Sequence, residues 1–217
     1  MKCSRNELTA IMRKAAIGSG CAVGVADEIA RAACTLQASG YDGISLLLTA
    51  LDACVDAPQE INRNVFDVDT WFPAVTIART GPSVFDALLL QSQAGHTELS
   101  LSSIDVPFLL AGLAANRCME QALKFTIAFS CGAEAVVSRS GITLEGVIPM
   151  GPCDGRVMLY RDAGVTADSV STETQALSLD VDTTLWNRCA VLAAHTYVRS
   201  TEASRLDGAG AGLTDND

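Results

Sequence analysis

The apolar residues of this chain have one spacing in its first part and another in its central part. Up to about residue 57 they recur every three or four positions, as on one face of a helix, in three successive segments. From about residue 97 to residue 181 they mostly alternate with polar residues, which is typical of strands with one buried face. Helical and strand patterns that are separated in this way, rather than regularly alternating, predict an α+β protein with a largely antiparallel sheet.

The same patterns predict how the chain is organised. We expect one α+β domain over residues 1–206, with a helical portion at about 1–57, a strand-rich portion at about 65–181 and a final helix at about 182–206. Residues 207–217 alternate glycine with alanine and end in acidic residues, which predicts a Gly-rich acidic tail.

Several local signals predict where strands and turns lie. Val65–Val68 and Val75–Arg79 have the composition of short strands. Gly81-Pro82-Ser83 predicts a turn before a short helix, and Asp154-Gly155 predicts another turn. Ser140-Gly141 lies between two alternating segments and predicts a hairpin.

Composition excludes several classes of protein. The chain has 217 residues, of which 49% are apolar and 18% charged, so it contains enough apolar surface to fold. Uncharged stretches such as Ala87–Thr97 have 11 residues and the longest, Ala15–Ala26, has 12, whereas a membrane-spanning helix needs about 18. A net charge of −10 argues against nucleic acid and anionic lipid as partners.

The cysteines and the first residues indicate a reducing compartment. No apolar stretch follows the basic residues near Met1, so we expect no signal peptide and a cytoplasmic protein. The eight cysteines lie at least 13 residues apart and form no C-x-x-C motif. We therefore expect most of them to be small buried residues rather than disulfide partners, metal ligands or redox centres.

Motif searches exclude the commonest catalytic and nucleotide-binding sites. The chain has no G-x-S-x-G, H-E-x-x-H, P-loop or EF-hand motif. Gly18-Ser19-Gly20, with Gly24, approaches a dinucleotide-binding loop, but no strand precedes it and its spacing is one residue too long. We interpret this segment as a turn between two helices and predict no cofactor.

One polar cluster near the C-terminus supplies candidate site residues. Thr201, Ser204 and Arg205 can bind a small carboxylate ligand, with Arg205 as a bidentate partner. His195 and Glu202 are the candidates for a catalytic base. The alternative is structural: the hydroxyl groups cap a short helix, Glu202 pairs with Arg205, and His195 is an ordinary helix residue.

The C-terminal tail has two interpretations. It is either a disordered chain end or a loop in which Gly208, Gly210 and Gly212 let backbone N–H groups approach a ligand. Asp215 and Asp217 are carboxylates of the kind that coordinate hard cations, although the pattern as a whole predicts no metal site.

The whole chain resembles an uncharacterised bacterial family. The segments that carry the resemblance are Glu7-Leu8 with the Ala-rich helices behind it, His195-Thr196-Tyr197-Val198, Glu202–Leu206 and, most clearly, Gly208–Asp217. That family is a domain of unknown function seen mostly in proteobacteria. The resemblance implies a cytosolic bacterial protein and no assigned activity.

Residues 5–53 are also similar to the N-terminal helices of the malate/L-lactate dehydrogenase-like enzymes, which have their own non-Rossmann NAD fold. The similarity centres on Gly40-Tyr41-Asp42-Gly43-Ile44-Ser45. That family has a histidine and serine pair after the aspartate, where this chain has Gly43-Ile44-Ser45, and its enzymes are longer. Its catalytic residues therefore have no counterpart to carry over here.

These observations lead to three functional hypotheses. The first is a binding or accessory protein for a small carboxylate metabolite in bacterial metabolism. The second is a small cytosolic enzyme that acts on hydroxy or amino acids, with His195 or Glu202 as base. The third is a structural subunit that docks through its C-terminal tail, and a homo-oligomer is an arrangement that the sequence leaves open.

Overall fold

The computed structural model describes residues 1–56, 71–72, 75–161 and 178–197. The helices are α1 (Arg5–Gly18), α2 (Val23–Ala38), α3 (Gly43–Asp56), α4 (Ile77–Gln93), α5 (Leu109–Glu120) and α6 (Thr183–Ala194). The strands are β1 (Lys2–Cys3), β2 (Trp71–Phe72), β3 (Glu98–Ile104), β4 (Leu123–Phe129), β5 (Glu134–Ser138), β6 (Gly141–Glu145), β7 (Cys153–Arg161) and β8 (Leu179–Asp180). The predicted α+β class is confirmed.

The first helices begin and end where local signals predict. Ser4 and Glu7 form a capping box at α1, in which the Glu7 amide donates to the Ser4 hydroxyl at 3.2 Å and the Ser4 amide donates to a Glu7 carboxylate oxygen at 2.8 Å. Gly20 follows α1 with a φ of +91°, a conformation that favours glycine. The interpretation of this segment as a turn between two helices is confirmed.

The helical layer extends beyond the N-terminal helices. α2 packs against α1 and α3 and, most extensively, against α5, which lies between two strands in the sequence. The α2–α5 crossing is close because Gly112 leaves room for the backbone: a Cβ atom at this position would lie 2.5 Å from the carbonyl oxygen of Ala32. The helical and strand-rich portions of the chain therefore share one core.

The larger sheet has the order β2-β3-β7-β4-β5-β6. β2 pairs with β3 in parallel, and the other neighbours pair antiparallel, so the prediction of a largely antiparallel sheet is confirmed. β5 and β6 form the predicted hairpin, in which Ser138 pairs with Gly141. β1 and β8 make a separate two-stranded pair.

One face of this sheet is buried beneath α4 and α5. Alternate residues of β4, Phe125 and Ile127, point into the core and are fully buried. Phe125 meets Phe85 of α4 edge to face, with 5.3 Å between the ring centroids. The alternation in the sequence therefore identified the buried face correctly.

The start of α4 differs from the prediction. Val75–Arg79 is not a strand, and Gly81-Pro82-Ser83 is not a turn, because α4 runs through both from Ile77 to Gln93. Gly81 and Pro82 are buried against the rest of the core, and this tertiary packing outweighs the usual cost of an internal proline. The other predicted strand, Val65–Val68, lies outside the described residues.

Two further predictions need correction. Asp154-Gly155 is not a turn but part of β7, and its glycine fits there because a Cβ atom would lie 2.8 Å from Cδ1 of Ile104. The final helix ends at Ala194 rather than near residue 206. At the end of the predicted strand-rich portion, Leu179–Asp180 forms a strand.

Among the helices within the described ranges, none has the length and apolar character needed to cross a membrane.

Candidate functional site

The N-terminus of α4 is held by an aspartate from a distant part of the chain. Oδ1 of Asp105 accepts hydrogen bonds from the amide of Ile77 at 2.9 Å and from the amide of Val106 at 2.7 Å. Val75 pairs with the same loop, because its carbonyl oxygen accepts a hydrogen bond from the Asp105 amide at 3.1 Å. Asp105 thus caps α4 from 28 residues away and sets the position of its first turn.

That first turn carries Arg79, whose side chain contacts Cys54 near the end of α3. Nη2 of Arg79 donates to the carbonyl oxygen of Cys54 at 2.7 Å, and Nε donates to Cys54 Sγ at 3.4 Å. Cys54 is buried, with 3% of its surface exposed, and so is Cys21, which precedes α2. The turn before α2, the end of α3 and the start of α4 therefore bring two thiols and a guanidinium together.

The two thiols have opposite pKa shifts. The pKa of Cys54 is lowered, first by a hydrogen bond from the neighbouring Cys21 thiol and then by the hydrogen bond and positive charge of Arg79, although burial opposes the shift. The pKa of Cys21 is raised by the same thiol–thiol hydrogen bond and by burial. The pair therefore holds one proton tightly at Cys21 and favours a thiolate at Cys54, the form in which cysteine is a nucleophile.

Asp105 completes the charged groups of this junction. Burial raises the pKa of its carboxyl group, although the amides of Ile77 and Val106 act in the opposite direction. Its Oδ2 atom is buried and has no hydrogen-bond partner among the residues that the structure describes. The same residues contain no group of three or more His, Cys, Asp or Glu side chains that could hold a metal ion.

A second polar feature is a cavity of 340 Å³ where α4 leads into β3. Its lining residues are Gly95, His96, Thr97, Glu98 and Ser100. Its rim also carries a positive charge, since Nε of Arg156 on β7 lies 3.1 Å from a carboxylate oxygen of Glu98. The lining thus supplies hydroxyl groups, an imidazole and a carboxylate, and this carboxylate is paired with the Arg156 guanidinium, a group that binds small anions.

His195 is the only predicted site residue that lies within the described part of the chain. It follows the last residue of α6, is exposed, and places Nδ1 3.3 Å from the carbonyl oxygen of Gly18. This contact helps to join α6 to the end of α1. The other predicted site residues lie outside the described residues and remain predictions: Thr201, Glu202, Ser204, Arg205, Gly208, Gly210, Gly212, Asp215 and Asp217.

The turn before α3 shows what replaces the histidine of the dehydrogenase-like pattern. Oδ1 of Asp42 accepts a hydrogen bond from the Ser45 amide at 3.1 Å and so caps the helix. Gly43 is packed so closely on α2 that a Cβ atom would lie 2.0 Å from the carbonyl oxygen of Ala33. Ile44 is 1% exposed. This turn therefore serves capping and packing.

Spacing along the chain gives no sign of the thiol pair. Cys21 and Cys54 are far apart in sequence, and so are Cys54 and Arg79, at a separation of 25 residues. Treating the cysteines singly as buried core residues was right about their burial but missed their pairing. The cavity at His96 was also missed, although its lining residues all lie within the short segment Gly95–Ser100.

Comparison with known protein families matches part of this chain to a domain of unknown function. The model of a family described as "Protein of unknown function (DUF3726)" matches residues 3–79, from β1 to the first turn of α4. The expected likeness to a domain of unknown function is thus confirmed over this part of the chain. The match ends before the C-terminal segments in which the sequence resemblance is most marked. No curated protein matches the sequence.

Two solved structures are similar to this one. A dehydrogenase from Sinorhizobium meliloti is 11% identical, with a TM-score of 0.50, and the superposition covers 90% of this chain and 94% of that protein. A delta1-piperideine-2-carboxylate reductase from Pseudomonas syringae pv. tomato is 12% identical, with a TM-score of 0.42, covering 68% of this chain and 53% of the reductase. The first similarity indicates a shared fold.

Proposed function

We propose that this chain is a binding or accessory protein for a small carboxylate metabolite in bacterial metabolism, and that it does not itself transfer hydride. The observation that carries the proposal is the turn before α3. A scaffold like that of the S. meliloti dehydrogenase is combined here with Gly43-Ile44-Ser45, where the dehydrogenase-like pattern has a histidine and serine pair.

The packing of this turn supports the loss of that chemistry. Any side chain at position 43 would collide with the Ala33 carbonyl group, and Ile44 is directed into the core. Histidine is the commonest residue for moving a proton to or from a substrate near neutral pH. A chain that uses this turn for packing retains a place for a ligand but lacks a proton-transfer group there.

The cavity at the start of β3 supports a carboxylate as the ligand. Its volume of 340 Å³ lies within the usual size of small-molecule sites. A carboxylate that enters it can take the place of the Glu98 side chain beside Arg156, while the Ser100 hydroxyl donates a hydrogen bond. The predicted ligand residues Thr201, Ser204 and Arg205 favour the same class of ligand.

Isothermal titration of the full chain tests the proposal. The ligands are a 2-hydroxy acid, a 2-oxo acid and an amino acid of three to five carbons, each with its neutral amide as control. We expect saturable binding of at least one acid and none of its amide. Arg156→Gln should weaken this binding about tenfold or more, whereas Arg161→Gln, on the same strand and also exposed, should not.

A matched assay addresses hydride transfer. The same acids are incubated with the protein and with oxidised or reduced NAD and NADP, and the absorbance of the reduced nicotinamide is followed. We expect no change beyond that of the buffer. Protein-dependent turnover would contradict the accessory role, and absence of binding by every acid would contradict the carboxylate ligand.

A further inference from the structure

The junction of α2, α3 and α4 contains chemistry that the proposed function does not use. Cys21 and Cys54 are both buried, at 6% and 3% exposure, and each thiol shifts the pKa of the other. Burial alone makes a thiol inert, because it disfavours the thiolate. Here, however, a guanidinium is directed at one of the two sulfur atoms.

We propose that Cys21 and Cys54 form a redox-active dithiol, in which hydrogen peroxide oxidises the pair to a disulfide and Arg79 stabilises Cys54 as the attacking thiolate. The proposal assigns a modification site that is separate from the cavity at the start of β3.

The position of Arg79 supports this assignment of roles. Its Nη2 atom is anchored on the Cys54 carbonyl oxygen at 2.7 Å, so its Nε atom is held 3.4 Å from the sulfur of the same residue. A guanidinium this close to the sulfur atom favours the thiolate form of Cys54 over the thiol. Cys21 is the only thiol that acts as a hydrogen-bond partner of Cys54 among the described residues, so it is the resolving thiol.

The oxidation takes place in two steps. In the first, the Cys54 thiolate attacks one oxygen of the peroxide, so that an S–O bond forms and the O–O bond breaks. The products are a sulfenic acid at Cys54 and hydroxide, which takes up a proton and becomes water. In the second, the Cys21 sulfur attacks the Cys54 sulfur, the S–O bond breaks, and hydroxide leaves with the Cys21 proton as a second water. Two electrons pass from the thiols to one peroxide.

The burial of both sulfur atoms favours a small oxidant. Hydrogen peroxide is close to water in size and uncharged, so it can reach a thiol from which larger reagents are excluded. Cys189 is the matched control, because it is also fully buried and lies beside an arginine in sequence. Burial raises the pKa of the Cys189 thiol to about 11, so it stays protonated at neutral pH.

The experiment oxidises the reduced full chain with increasing peroxide, removes the excess with catalase, and unfolds the protein in an alkylating reagent. Tryptic mass spectrometry should then detect Ala15–Arg31 joined to Ala32–Arg63, and dithiothreitol should separate the two peptides. Because the second peptide also contains Cys34, the Cys34→Ser variant assigns the bond to Cys54. Full alkylation of Cys21 and Cys54 at peroxide levels that oxidise the exposed Cys131 would overturn the proposal.

Two variants test the separate roles of the thiols. Cys21→Ser should stop at the sulfenic acid, which dimedone traps on Cys54, and Cys54→Ser should leave Cys21 reduced. Neither variant removes Arg79, and each changes a single sulfur atom. Absence of the dimedone adduct on Cys54 in folded Cys21→Ser protein, as judged by circular dichroism, would contradict the assignment of Cys54 as the attacking residue.

Arg79→Gln tests the guanidinium. We expect the rate of disulfide formation at neutral pH to fall about tenfold, because the fraction of Cys54 present as thiolate falls with the loss of the charge. Cys189→Ser should leave the rate unchanged. An Arg79→Gln rate equal to that of the wild type would remove Arg79 from the proposal. If Arg79→Gln does not fold, the pH dependence of oxidation in the wild type decides: a rate that already levels off below the ordinary thiol pKa supports the activated Cys54, and a rate that keeps rising to that pKa contradicts it.

Discussion

The caps of α4 and α6 are both aspartates, yet their carboxyl groups have opposite pKa shifts. Asp182 is exposed, and hydrogen bonds from the amides of Thr184 and Leu185 lower its pKa. Asp105 is partly buried, and the loss of hydration raises its pKa although the Ile77 amide donates to it at 2.9 Å. Hydrogen bonds from helix amides therefore favour the ionised form of the exposed Asp182. At Asp105 the same bonds only partly offset the cost of removing the carboxylate from water.

The thiols of these two regions differ in the same way. Cys189 of α6 is adjacent to Arg188, but this arginine is directed at Asp52, with Nη2 2.7 Å from Oδ1, and burial dominates the thiol. The guanidinium of Arg79 instead touches Cys54, whose pKa is lowered first by the neighbouring thiol and then by this cation. The two thiols therefore differ because Cys54 has both a thiol neighbour and a guanidinium directed at it, whereas burial dominates at Cys189.

The largest effect on stability should come from disturbing the contact between α2 and the start of α3, the helix that carries Cys54. In Gly43→Ala the new methyl group meets the Ala33 carbonyl oxygen, so we expect a loss of about 3 kcal/mol in the free energy of unfolding. Gly18→Ala collides equally with the Leu192 carbonyl group, but it should cost less because the end of α1 can shift.

Urea unfolding followed by circular dichroism measures both losses. Gly24→Ala provides the control, because nothing lies within 4 Å of its Cβ position, and it should change the stability by about 0.5 kcal/mol or less. Equal stabilities of Gly43→Ala and Gly24→Ala would show that the α2–α3 contact does not constrain α3.

Removing the buried cap should have the next largest effect. Asp105→Ala leaves the amides of Ile77 and Val106 without their acceptor, and both residues are buried, so we expect a loss of about 2 kcal/mol. Asp182→Ala should cost less because water replaces the lost acceptor at the exposed start of α6. A greater loss for Asp182→Ala, in the same urea titration, would reverse the proposed order of the two caps.

The two caps should also have opposite effects on the pH dependence of stability. The folded pKa of Asp105 is raised, so the stability from this group is fully present below the ordinary aspartate pKa and is lost as pH rises through the folded value. The folded pKa of Asp182 is lowered, so its contribution is present above the ordinary pKa and is lost as pH falls.

Asparagine variants isolate these contributions. From pH 4 to pH 7, the stability of the wild type relative to Asp105→Asn should fall, while its stability relative to Asp182→Asn should rise or stay level. Urea unfolding at several pH values measures both differences. A rise for both pairs would mean that burial does not dominate at Asp105.

A smaller effect should follow the loss of the Arg188–Asp52 pair. Both side chains are about half exposed, so we expect Arg188→Ala to cost about 0.5 kcal/mol and this loss to shrink in high salt. Urea unfolding in low and high salt measures the change. A loss that is large and independent of salt would show that Arg188 and Asp52 do not behave as an ordinary surface ion pair.

The smallest effect on stability should come from His195→Ala. The side chain is exposed, and its Nδ1 atom lies 3.3 Å from the Gly18 carbonyl oxygen, so we expect a loss of about 0.5 kcal/mol or less. Titration of His195→Ala with the same carboxylate ligands tests its functional role. Unchanged ligand binding would remove His195 as a candidate catalytic or ligand-binding residue.

The candidate sites were far harder to predict than the elements that build them. His195 was predicted from its residue type and lies in an exposed helix-end contact. No local sequence pattern indicates that Cys21 lies near Cys54, or that Cys54 contacts Arg79. The three residues come from separate parts of the fold. A sequence motif indicates a site only where the site residues lie close together in the sequence. The residues of this junction do not.

The sequence by itself determined the helices α1–α3, the alternating strands and the α+β class, because the period of apolar residues and local caps such as Ser4 with Glu7 act over a few positions. Tertiary structure decided the length of α4, which continues through Pro82, and the inclusion of Gly155 in β7. In both cases burial against distant elements outweighs a local preference that is worth only a few kcal/mol. Contacts of this kind also decide which of the buried thiols faces a positive charge.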